Sequence, residues 1–70
     1  MARIEVIQKR LAEAIKRSEL TQTQIAQMLG IKQPTVAQYV SGKVMPSLDT
    51  FAMLCEILEE NPAYLLGITD

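Results

Sequence analysis

Histidine is absent from this sequence, and cysteine occurs once, as Cys55. A single cysteine cannot close an internal disulfide, and without histidine no Cys/His metal site can be assembled, so packing alone must hold the fold. Also missing is a charged N-terminal segment followed by a long apolar run. The longest apolar stretches, such as YLLGI at 64–68, fall far short of membrane-spanning length. The expectation is a soluble, cytoplasmic protein with no membrane partner. Repeats, low-complexity tracts and linkers are lacking too, so residues 1–70 read as one domain. A chain this short buries only roughly 60 to 65% of the surface its unfolded form exposes, which demands an efficient core.

The same absences argue against an enzyme. No histidine is available as a base, and Cys55 falls on an apolar helical stripe, where it reads as a small hydrophobe rather than a nucleophile. The carboxylates are scattered, and no strand is evident from which a phosphate-cradling glycine loop could follow. No metal and no cofactor is implied.

A basic excess is lacking as well, since the net charge is −1, but the average hides a split. Residues 1–47 hold all seven Lys and Arg against Glu5, Glu13 and Glu19, a balance of +4, whereas residues 48–70 carry −5. A molecule polarised in this way can present its first two-thirds to phosphate and turn its last third away. An ordinary solvated surface with uneven charge is the alternative.

What is present is a helical period of apolar residues along almost the whole chain, which predicts an all-α fold, a compact bundle of five short helices. In the first helix Ile4, Ile7, Leu11, Ala14 and Ile15 form one stripe, with Arg3, Lys9, Arg10, Lys16 and Arg17 on other faces. The second has a full start signal: Thr21 as N-cap, Gln24 closing a capping box, and Leu20 paired with Ile25 as a hydrophobic staple. Gly30 ends it, and Pro34 helps open the third helix after only Ile31 and Lys32. Ser47 is the predicted N-cap of a fourth helix with a buried stripe of Leu48, Phe51, Ala52, Cys55 and Leu58. Asn61 and Pro62 start a fifth, running through Leu66 and stopped at Gly67.

On the third helix Val36, Tyr39 and Val40 share one side at the ideal ~100° per residue, while Pro34, Ala37, Gln38 and Ser41 lie opposite. The free side carries amides and hydroxyls rather than charge. A charged face would grip the DNA backbone without reading sequence; a glutamine amide can both accept from adenine N6 and donate to N7, and a threonine can touch a thymine methyl. The alternative is that Gln33, Thr35, Gln38 and Ser41 are ordinary solvent-facing residues.

The spacing of Gln22, Ala26, Gly30, Val36 and Tyr39 within QTQIAQMLGIKQPTVAQYV resembles the helix-turn-helix of the Cro/repressor family, the lambdoid phage repressor-like or XRE type. The later SGK..PSLDTF...L and NPAYLLGITD also look like that family, so the resemblance runs from about Lys9 to Gly67, with the helix-turn-helix at about 22–41. It implies a sequence-specific regulator of transcription, a repressor of phage or prophage type that binds a palindromic operator in double-stranded DNA as a homodimer through the major groove. On the resemblance Gln33, Pro34, Thr35 and Gln38 would face bases, and Thr21, Gln22, Lys32, Ser41 and Lys43 would meet the backbone.

Three departures stand out. Pro34 occupies a position where relatives often carry a second polar base-reading residue. Ile15 and Val40 replace an Arg–Glu pair common in the family and are expected to make an apolar contact. The loop KVMPS at 43–47 is poor in the basic residues relatives place on phosphate.

The final helix, with Pro62, Tyr64 and Leu65, is the expected dimer surface; the alternative is that it simply caps the core with Leu65 and Leu66. The rival function is an antitoxin-like or adaptor module, in which the acidic C-terminal third, through Glu56, Glu59 and Glu60, holds a basic protein partner.

Overall fold

The computed structural model describes residues 3–70. Among them it has five helices and no strand: α1 (Ile4–Arg17), α2 (Gln22–Leu29), α3 (Gln33–Ser41), α4 (Leu48–Leu58) and α5 (Pro62–Leu65). The longest, α1, packs chiefly on α3 and also on α5, while α2 is held between α3 and α4.

Local chemistry accounts for most of the boundaries. In α1, Glu5 in the first turn and Lys16 and Arg17 in the last complement the helix dipole. Beyond it the Ser18 hydroxyl accepts from the Leu20 N–H at 3.0 Å and turns the chain. Thr21 and Gln24 form the predicted capping box, with Thr21 Oγ1 accepting from Gln24 N at 3.1 Å and Gln24 Oε1 from Thr21 N at 2.8 Å. Gly30 adopts φ 72°, ψ 29°, the left-handed geometry that a residue without Cβ enters at no steric cost. At α5 the Asn61 carboxamide accepts from Ala63 N at 2.9 Å, with Pro62 in the first turn. This helix is one residue shorter than its apolar pattern suggested, and the left-handed Gly67, φ 75°, follows.

Eleven buried side chains form one cluster: Leu11, Ala14 and Ile15 from α1, Ile25 and Ala26 from α2, Val36 and Tyr39 from α3, Phe51, Leu54 and Cys55 from α4, and Leu65 from α5. Each helix contributes, so none can be removed without opening apolar surface to water. Leu20 and Val40 are half-buried against this cluster, as the staple and the α1–α3 contact anticipate.

Four expectations, three about the stripes and one about a cap, need correction. Ile4 is 56% exposed and Leu48 85%, although both continue a buried stripe. Each sits in the first turn of its helix, and α1, about 21 Å long at 1.5 Å per residue, outruns its partners α3 and α5, of nine and four residues. Ala52 is exposed and Leu54 fully buried, because the α4 stripe runs through Phe51, Leu54, Cys55 and Leu58 at i, i+3, i+4 and i+7. Ser47 precedes α4 with extended backbone, but makes no side-chain cap: its hydroxyl donates to Asp49 Oδ1 at 2.6 Å instead.

The charge split also resolves differently from the simple polar picture. Arg10 donates to the carbonyl oxygens of Tyr64 at 2.6 Å and Thr69 at 2.8 Å, and its guanidinium lies 4.2 Å from the Tyr64 ring centroid. Arg17 donates through both Nε and Nη2 to Glu60 Oε2, at 3.1 and 2.7 Å. Two of the α1 cations therefore fasten the C-terminal segment instead of facing a phosphate.

Candidate nucleic-acid interface

The α2–turn–α3 unit is closed by its own backbone. Gly30 N donates to Gln27 O at 3.3 Å and Ile31 N to Ala26 O at 3.0 Å, completing the carbonyls that α2 leaves open at its C-terminus. Two residues later α3 begins, with Thr35 N bonded to Lys32 O at 3.0 Å. With Val36 and Tyr39 buried and Val40 half-buried on one side, the helix can rotate neither way without exposing them.

The solvent-facing surface of α3 is open. Gln33, Pro34 and Gln38 are exposed and Thr35 is half-buried. Gln33 and Gln38 are separated by about 7.5 Å along the helix axis, roughly two base-pair steps of 3.4 Å. Ala37 is half-buried and adds no charge between them.

Gln22 and Gln33, the first residues of α2 and α3, are joined: Gln33 Nε2 donates to Gln22 Oε1 at 2.9 Å. A primary amide has two N–H donors and a carbonyl with two lone pairs. The bond uses one Gln33 hydrogen, leaving the second N–H and Oε1, which is the donor–acceptor pair that adenine N7 and N6 require. It also aims the Gln22 carbonyl at Gln33, so that the Gln22 amide N–H groups remain free to donate.

Around Gln22 further donors converge. The N–H groups of Gln22 and Thr23 belong to the first turn of α2 and have no carbonyl one turn earlier to bond to. The Thr21 hydroxyl spends a lone pair on the cap and keeps its proton. An anion at this end of α2 would meet N–H groups, an amide and a hydroxyl together.

The remaining backbone candidates are less uniform. Lys32 and Lys43 are exposed and bracket α3. Ser41 is exposed, but its hydroxyl donates to Gln38 O at 3.2 Å, and it lines a depression with Gln8, Lys9 and Val40 on the α1 side. At the C-terminal end of α3, Gly42 has φ 81°, and Gln8 Nε2 donates to Gly42 O at 3.0 Å. This tie spans 34 residues of sequence and fixes α3 against α1; no periodicity could have signalled it.

The expected dimer residues separate. Pro62 is exposed, Tyr64 is half-buried under Arg10, and Leu65 is fully buried in the core. Leu65 is thus removed from the candidate dimer surface: it caps the core, because a four-residue helix has only one inward position and Leu65 fills it. Of the acidic residues expected to hold a protein partner, Glu56 and Glu59 are exposed, but Glu60 is engaged by Arg17. Burial pushes the Cys55 thiol upward, away from the reactive thiolate, in keeping with its core position.

Comparison with known proteins agrees with this geometry. The family model described as helix-turn-helix matches residues 8–65. An uncharacterized HTH-type transcriptional regulator, YobD of Bacillus subtilis (strain 168), is 31% identical over 62 residues, covering 89% of this chain and 55% of its own length. The chain thus spans about half the length of that relative. In three dimensions it is similar to the solution structure of the SOS-response transcriptional repressor LexA from Eubacterium rectale. The TM-score is 0.78 and the identity 24%, covering 90% of this chain and 67% of that one, a likeness of fold. The capped α2, the left-handed Gly30 and the packed α3 are this motif's structural requirements, and the chain belongs to the helix-turn-helix family.

Proposed function

We propose that this protein is a sequence-specific DNA-binding transcriptional regulator that reads bases by inserting α3 into the major groove of double-stranded DNA. The observation that carries the reading is the Gln22–Gln33 bond beside an exposed, uncharged α3 face. It holds a base-reading amide in a set orientation before any ligand arrives. Gln33, Gln38, Thr35 and Pro34 contact bases, Pro34 offering only an apolar surface. Gln22, Thr21, Lys32 and Lys43 contact phosphate, and Ser41 plays the smaller part because its proton is engaged. The assignment is non-enzymatic and cytoplasmic.

Affinity from one copy would be modest, with few free cations near α3, so function as a homodimer on inverted half-sites about 34 Å apart suits the chemistry. Exposed Pro62 borders an apolar groove with Phe51, Ala52 and Cys55, rimmed by Glu56 and by Glu60, of which the Glu60 carboxylate is neutralised by Arg17. This groove, rather than Leu65, supplies the dimer contact. Repression by covering a promoter is the proposed mode, as in the phage-type regulators the sequence resembles.

Selection from a randomised duplex pool tests the reading. The expected product is an inverted repeat whose information content drops at one position with Gln38→Ala and at another with Gln33→Ala. Recovery of no common sequence by the parent protein would overturn it.

A further inference from the structure

Away from the α3 face, α2 and α4 expose methionines that the DNA-binding reading does not use. Met28, near the end of α2, is 53% exposed, and Met53 on α4 is 41% exposed. They line one depression of about 190 Å³ together with Ile57 and Glu56. Met28 and Ile57 also line a second of about 480 Å³, which adds Leu20 and Leu58 as its floor. The shared residues make the two depressions one apolar trough between α2 and α4.

The rim of this trough has one sign. Glu56 borders the first depression, Glu19 and Glu59 border the second, and neither is lined by Lys or Arg. The cations that could neutralise it point elsewhere: Arg17 to Glu60 and Arg10 to the C-terminal carbonyls.

We propose that the Met28–Met53–Ile57 trough is a docking surface for a basic amphipathic helix of a protein partner. The trough takes the apolar side chains of such a helix at i, i+3/i+4 and i+7, while its flanking Lys or Arg residues meet Glu19, Glu56 and Glu59. Unbranched thioether side chains mould to differently shaped aliphatic and aromatic knobs, which suits recognition of another surface better than a fixed small-molecule pocket. A second copy of this chain does not fit. A two-fold contact sets the same patch against itself and would oppose one acidic rim to another. Gln22, Gln33, Pro34, Thr35, Gln38 and Lys43 line neither depression, so DNA and the partner helix can be bound at once.

The test uses the 70-residue chain labelled with 13C at the methionine methyl groups, and a synthetic peptide of about four helical turns. The peptide carries leucine at the i, i+3/i+4, i+7 spacing and lysine on both flanks. Saturable shifts of the Met28 and Met53 methyl signals, with Met45 unmoved, are expected. Glu56→Lys with Glu59→Lys should weaken peptide binding at least tenfold, and Glu59→Lys alone, which leaves the Pro62 groove untouched, should keep selected-duplex binding within twofold. Met28→Gln, at an exposed position, should weaken the peptide without altering the circular dichroism spectrum. Equal binding of a peptide with glutamate on its flanks would overturn the proposal. So would shifts centred on Met45, Met28 and Met53 signals that move with protein concentration alone, or an absence of binding by the folded parent protein.

Discussion

Gln33 Nε2 donates to Gln22 Oε1 across 2.9 Å, so that the first side chain of α3 is held by the first side chain of α2. Gln33 is exposed and Gln22 half-buried, and a bond so open to water adds little to stability. Its consequence is orientation: the Gln33 amide loses rotamer freedom before binding and need not lose it on contact with a base. Gln22→Ala should therefore leave the unfolding free energy within about 0.5 kcal/mol of the parent. It should weaken operator binding and relax selection at the base pair read by Gln33. A loss of affinity equal for every sequence would instead assign Gln22 to phosphate contact alone.

Arg10 ties α1 to the C-terminal segment through two carbonyl oxygens and the Tyr64 ring. Charge-assisted bonds of this kind contribute about 1.5 to 3 kcal/mol when partly shielded from water. Arg10→Ala is expected to lower stability by roughly 1 to 3 kcal/mol in urea unfolding, and Arg10→Lys to recover only part of it, since one ammonium cannot reproduce the planar fork. An unchanged midpoint for Arg10→Ala would show that the segment needs no such tie.

Glu59 is the non-glycine residue with a left-handed backbone, φ 55°, at the end of α4 among the described residues. A Cβ in this conformation costs roughly 1 kcal/mol relative to glycine, which is why helices so often end there on Gly. Glu59→Gly should raise thermal stability by about 0.5 to 1 kcal/mol, offset in part by the greater freedom of glycine in the unfolded chain. A fall in melting temperature would mean that the Glu59 side chain holds the α4–α5 turn.

Burial raises the pKa of both Cys55 and Tyr39, so the folded state binds these protons more tightly than the unfolded chain. Their contribution to stability is complete below the unfolded thiol value of about 8.5 and declines as pH rises through the folded values. Asp49 has the opposite sign. The Ser47 hydroxyl holds its carboxyl below the usual value, so its contribution is present above about pH 4 and is lost as the pH falls through the depressed folded value. Melting temperature should therefore fall between pH 8 and 10.5, and native Cys55 should react slowly with iodoacetamide at pH 7.5. Fast alkylation of the folded protein would contradict the buried thiol.

With Arg10 and Arg17 committed within the fold, Lys32 and Lys43 are the cations that bracket α3. Each neutralised phosphate contributes about 0.9 to the dependence of log affinity on log salt, so the slope should be no steeper than about −6 per dimer. A steeper slope, restored to this range by Lys9→Gln and Lys16→Gln, would bring the exposed side of α1 into the interface.

Sequence alone determined the helices, the Thr21 and Asn61 caps and the turn, because each depends on neighbours within a few residues. Thr21 and Gln24 close a capping box three positions apart, Gly30 needs only its missing Cβ, and Val36 and Tyr39 mark the buried side of α3 by period. The resemblance carried by Gln22, Ala26, Gly30, Val36 and Tyr39 led to the same helix-turn-helix family that the comparison gives. Tertiary structure decided what depends on distant contacts. Periodicity cannot say where a stripe outruns its partners, hence exposed Ile4 and Leu48, or which residue of a single-turn helix points inward, hence buried Leu65. Nor can charge counting show that Arg10 and Arg17 are consumed across 54 and 43 residues of chain by Tyr64 and Glu60. The bond between Gln22 and Gln33, 11 residues apart, exists only because α2 and α3 are brought together by the Gly30 turn and the packing beneath it.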